Sequence, residues 1–299
     1  MLLSYARPLE AYDLDFYSDD LEDYSDAGAT AILDQLAEIR QGLGAYDRNS
    51  LSLDQQLSYD VLEWLLETQE ASRAFLYHVY PVNQFNGSQS GLPDFMVNIH
   101  QIDDERDAHN YLARIANFEL ALAQMRQSVL VRAERGFLPP RFVLRAVASE
   151  SASFADSPVE DNVLYTKLAE SLDEIADLSA TKCEALLSEL PLLIREIVQP
   201  GYQRLAETLT DLATEASEDD GVWKHPDGEA YYRWALRWHT TTNKTADEVH
   251  RIRLAEMERI HGEMSRILAS WRAMSPSAGR RWPINCSTMK VKSRAAFNS

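Results

Sequence analysis

Residues 228–264, GEAYYRWALRWHTTTNKTADEVHRIRLAEMERIHGEM, hold three of the chain's seven histidines, His239, His250 and His261, among glutamates and a pair of tyrosines. Imidazole and carboxylate are the donor set of a zinc site or of general acid–base catalysis. Spacing argues against zinc. His250, Leu254, Met257, His261, Met264 and Leu268 recur every three or four residues and share one helix face. His250 and His261 point the same way but stand about 16 Å apart at 1.5 Å per residue. Two ligands of one zinc lie within about 4 Å of each other. The HExxH spacing occurs nowhere in the chain.

The expectation for His250 and His261 is a half-buried pair flanking a core stripe. His239 precedes a polar loop and either faces a cleft or makes a local helix-end hydrogen bond. Tyr231 and Tyr232 read as packing residues with satisfied hydroxyls before they read as catalytic acids. There is no GxSxG elbow, no GxxxxGK[ST] loop and no GxGxxG after a strand. Carboxylates abound without a distinguishable pair. No catalytic residue, metal ligand or cofactor is assigned from the residues themselves.

The elements around these residues read as helices. Residues 27–42 place Ile32, Leu36 and Ile39 at helical spacing, with Gly42 as a stop. Residues 52–75 carry an apolar stripe of Leu53, Leu57, Val61, Trp64 and Leu65, and Ser52 can cap them. The aromatic- and amide-rich stretch YHVYPVNQFNGSQSGLPDF is loop chemistry with a possible short extended piece, structural or substrate-facing. A long helix is predicted from Asp104 to Arg135, closed by Gly136, and Pro139-Pro140 opens the next. Residues 158–178 and 181–215 are amphipathic, and Pro191 and Pro200-Gly201 in the second should start, kink or break helices. Residues 216–228 form an acidic turn region, and a helix runs through Tyr231 and Trp238. TTTNKT interrupts it, and Thr245 with Glu248 is a capping box for a helix from Ala246 to about Leu268. The fold class is therefore all-α: a multi-helix, mostly antiparallel domain with a few irregular loops.

Composition agrees. Only 11 Gly and 11 Pro in 299 residues favour long helices over many short strands. A net charge of -18 repels phosphate backbones and anionic membranes, which excludes nucleic acid as a partner. Cys183 and Cys286 form no framework and no metal pair. MLLSYARPLEAYDLD lacks the features of a signal peptide, and no run reaches the length of a membrane span, so the chain as written is expected to be cytoplasmic. Oligomeric state is not legible.

Four strings, LSYDVLEWLLE, YPVNQFNGSQSGLPDFMVNIHQIDDERDAHNYLARI, RGFLPPRFV and residues 221–264, resemble in order and spacing a bacterial family catalogued as domain of unknown function 885. The resemblance covers about residues 5 to 268. It implies a mostly helical zinc metallopeptidase of the gluzincin type, roughly twice this length. Its zinc helix, His-Glu-x-x-Pro-Gly-His, lies downstream of a His-Thr-Thr segment. Many members are exported or lipid-anchored. No residue here matches a zinc ligand or the catalytic glutamate, so zinc is expected only in full-length members. His239, Thr240 and Thr241 correspond to the His-Thr-Thr, and Tyr231 and Tyr232 to the family's paired aromatics. With Asn83 and Gln84 of the amide-rich loop, these are the substrate-cleft candidates, and a peptide is the implied substrate.

Residues 269–299 carry six basic residues and no acidic one. This divergent basic tail is read as disordered or out of frame, and residues 1–268 as the helical N-terminal half of a family member, inactive alone. A helical peptide- or protein-binding module is the alternative.

Overall fold

The computed structural model describes residues 19–175 and 178–274. Every regular element among them is helical, as composition and spacing require, and no strand occurs among the described residues. The helices are α1 (Asp26–Leu43), α2 (Leu53–Ala71), α3 (Ser88–Asp94), α4 (Glu105–Ala116), α5 (Phe118–Glu134), α6 (Arg141–Ala155), α7 (Val163–Glu174), α8 (Ala180–Leu193), α9 (Gln199–Glu215), α10 (Gly228–Thr240) and α11 (Ala246–Met274). Two compact units divide the chain, Met1–Thr242 and Asn243–Ser299. The sequence readings of residues 1–18, of Cys286 and of most of the basic tail lie outside the described residues.

Helix ends follow local chemistry. Ser52 and Gln55 form a reciprocal capping box at the start of α2. Gly136, at φ 81°, closes α5, with the Phe137 N–H donating to Arg132 O at 2.8 Å. Gly42 does not stop α1, which runs to Leu43 and ends on Gly44 in a right-handed conformation.

Three departures from the sequence reading have physical causes. The helix expected over 104–135 is two, α4 and α5, jointed at Asn117, whose ψ of -7° flattens the turn while keeping the chain in helical space. Pro191 lies inside α8 without ending it, whereas Pro200 starts a helix as expected, in the first turn of α9 after a π turn, Ile194–Val198. The 80–93 stretch is loop only to Gly87, then turns into α3 with no extended piece.

The core of the first unit gathers α3 to α9, and α6 on α9 is its most extensive helix pair. Buried tyrosines fasten it: Tyr111 donates to Leu164 O at 3.0 Å and Tyr202 to Gln89 O at 2.6 Å. Cys183 packs half-buried against it. Buried His100 donates from Nε2 to Asp107 O at 3.2 Å and accepts at Nδ1 from Arg114 at 2.6 Å. Burial, then the Arg114 charge, lowers its pKa to about 4.

The α2 stripe is covered over only part of its length. Leu53 is 82% exposed, Leu57 65% and Val61 58%, whereas further along the same face Trp64 stacks on Trp238 and Thr68 is buried, with Leu66 buried on the other side.

In the second unit, α11 opens on the expected capping box. The Thr245 N–H donates to Glu248 Oε2 at 2.7 Å and the Glu248 N–H to Thr245 Oγ1 at 3.3 Å. His250 and His261 are exposed rather than half-buried, because Leu254, Met264 and Leu268 beside them are themselves exposed.

Candidate functional site

The densest chemistry in the first unit is an aromatic and imidazole cluster built by α2, residues 75–80, the turn 221–227 and α10. On α10, Tyr231, Trp234 and Trp238 are spaced three and four residues apart and so share a face. That face is pinned to α2. Trp234 Nε1 donates to Thr68 O at 2.9 Å, Arg237 pairs with Glu67 at 3.1 Å, and Trp238 stacks on Trp64 with centroids 6.0 Å apart. Trp234 stacks on Trp238 and on Tyr231, and His78 stacks on Tyr231 at 4.9 Å. The result is a continuous ladder, Trp64–Trp238–Trp234–Tyr231–His78.

Two elements aim the imidazoles. Buried Arg132 on α5 holds the 76–79 segment by donating to Val79 O at 2.9 Å and Leu76 O at 2.8 Å, and it pairs with Asp26 at 2.7 Å. The turn before α10 is held open by Asp227 at φ 54°, and Gly228 packs where a Cβ would stand 2.0 Å from Val222 O. His78 donates from Nε2 to Pro226 O at 2.7 Å. The Tyr80 hydroxyl lies 3.3 Å from Leu138 O and shares a short hydrogen bond with His225 Nε2. The Nδ1 atoms of both histidines are buried and make no hydrogen bond.

Burial foremost, then the charges of Lys224 and His78, lowers His225 to about 4, with the Gly136 backbone opposing. His225 is therefore neutral near pH 7. Burial raises the Tyr80 and Tyr231 phenols above their usual range. The cluster is a half-buried aromatic shelf suited to stacking, with two buried imidazoles among its rings.

Of the sequence candidates, only Tyr231 enters the cluster. Tyr232 and His239 lie exposed on α10. Half-buried Thr240 bonds back to Leu236 O at 2.6 Å and meets Thr242 Oγ1 at 3.0 Å. Thr241 ends α10 at φ 53°, rare for a β-branched residue. Asn83 spends its side chain on its own turn, accepting from the Phe85 and Asn86 N–H groups at 3.0 Å, and Gln84 is exposed. Sequence reasoning missed His78, Tyr80, His225 and Phe137, although YHVY and KHPD each set a histidine among aromatics or turn residues.

No group of three His, Cys, Asp or Glu side chains able to hold a metal occurs among the described residues. A zinc site needs at least three protein ligands. The implied zinc therefore does not fit these residues.

A family model described as bacterial protein of unknown function (DUF885) matches residues 8–282. The chain belongs to this family. The DUF885 match runs past Leu268 into the basic tail. The fold is that of a solved structure titled "putative lipoprotein" from Colwellia psychrerythraea, at a TM-score of 0.80 and 22% identity. The alignment covers 90% of this DUF885 chain and 49% of that one, so the chain spans about half the length of its solved relative. No curated protein matches it. No helix among the described residues is long and apolar enough to cross a membrane.

Proposed function

We propose that the chain is the N-terminal, substrate-facing half of a zinc-peptidase-like hydrolase, and that it binds peptide without cleaving it. Zinc, its ligands and the general base would come from elsewhere in a full-length protein. One observation carries this reading: a family match over most of the chain meets a described structure with an aromatic shelf but no three-residue metal set. Coverage of about half of the Colwellia structure supports it. The shelf formed by Tyr231, Trp234, Trp238 and Trp64 would hold apolar side chains of an extended peptide. His239, Thr240 and Thr241 would border that wall at the end of α10, and Asn83 and Gln84 would border it from the loop.

Intrinsic tryptophan fluorescence tests the binding. A hydrophobic unlabelled peptide should change emission saturably and remain intact by mass spectrometry. Trp238→Ala with Tyr231→Ala should remove the saturable change. An unchanged titration in that variant would refute the shelf, and cleavage by the purified chain would refute the division of labour.

A further inference from the structure

Away from the aromatic ladder, a cavity of about 350 Å³ opens between α3, the π turn that follows it, α6, α7 and α9. Its walls are apolar, formed by Pro93, Val97, Phe154 and Val163. Its volume lies at the small end of ligand pockets, which combine apolar walls with a few convergent polar groups. Those groups are present. Ser151, only 1% exposed, lines the cavity, and its Oγ has no hydrogen-bond partner. Buried hydroxyls are normally paired, so a partner arriving through the cavity would complete this one. Tyr202 donates its proton to Gln89 O, which leaves its oxygen as an acceptor facing the same lining.

Charge selects the ligand. Two exposed carboxylates, Asp94 and Glu150, belong to the lining, and no lysine or arginine does. One Asp94 oxygen accepts from Asn98 Nδ2 at 2.7 Å, which leaves the other oxygen open. Acceptors therefore outnumber donors around an apolar chamber. A primary ammonium supplies the reverse, donors and positive charge with no acceptor. We propose that this cavity binds a small primary amine with an aromatic or branched apolar body. The body would lie against Phe154 and Val97, and the ammonium would meet Asp94, Glu150 and Ser151.

The probe is phenethylamine, titrated into the whole 299-residue protein by calorimetry. Phenylacetate, with a similar body and opposite charge, is the comparison. Saturable one-to-one binding of the amine is expected, with phenylacetate at least tenfold weaker. Asp94→Asn with Glu150→Gln should weaken the amine at least tenfold, and Ser151→Ala several-fold. Both carboxylates are exposed, so the double variant should keep its circular dichroism spectrum and melting curve. Absence of saturable binding, equal binding of the two probes, or amine affinity unchanged in the double variant would each overturn the proposal.

Discussion

At the residue scale, the imidazoles and one arginine govern the site. Arg132 is buried, pairs with half-buried Asp26 and holds two backbone carbonyls of the segment that carries His78. Removing it leaves those buried carbonyls without their donor, at about 1–3 kcal/mol for an unsatisfied group. Arg132→Ala should lose that much in urea denaturation. It should also loosen His78, seen as faster exchange of amides in 76–80. His225 titrates near 4 when folded, below its ordinary value of about 6.5. As pH falls below about 6.5 the unfolded chain takes the proton first, so this contribution is present above that pH and fades towards about 4. The crowded negative charge relaxes in the same window, so the sign is read as a difference. Between pH 7 and pH 5 the wild type should lose more stability than His225→Gln, measured by denaturant midpoints. Tyr80→Phe would leave His225 Nε2 without its hydroxyl partner, at a cost of about 1–3 kcal/mol in denaturant unfolding.

At the element scale, helix existence was legible wherever apolar residues recur at 3.6-residue spacing between recognisable caps. Ser52, Gly136 and the Thr245–Glu248 box all act as their chemistry requires. Joints were not legible. Asn117 carries no strong stop signal, and α8 runs through Pro191, a residue that sequence rules treat as a break or kink. Burial was not legible for α2 or α11 either, since apolar spacing reports a face and not whether anything covers it. The candidate site was half legible. Tyr231 sat in a recognised segment, but His78 and His225 come together only through tertiary packing of segments far apart in sequence. Gly136→Ala tests one cap directly. A Cβ at φ 81° costs about 1–2 kcal/mol, so the melting temperature should fall by several degrees in calorimetry.

At the scale of the whole molecule, exposed apolar side chains and the missing ligand set bear on the same question. Leu53, Leu57 and Val61 form a solvent-facing stripe larger than scattered surface residues require. An apolar dye such as ANS should bind the folded chain, and Leu53→Glu with Leu57→Glu should reduce its fluorescence without lowering the melting temperature. Unchanged dye binding would place the apolar surface elsewhere. The chain shares its fold with a solved chain of which it covers 49%, and no group of three metal-ligating side chains occurs among its described residues.

Metal content measured together with peptide turnover on the purified 299-residue chain is the most direct test of that division. The expected result is far less than one zinc per chain after incubation with zinc and buffer exchange, and no peptide cleavage. One tightly held zinc per chain, accompanied by turnover that is lost in His78→Ala with His225→Ala, would contradict it.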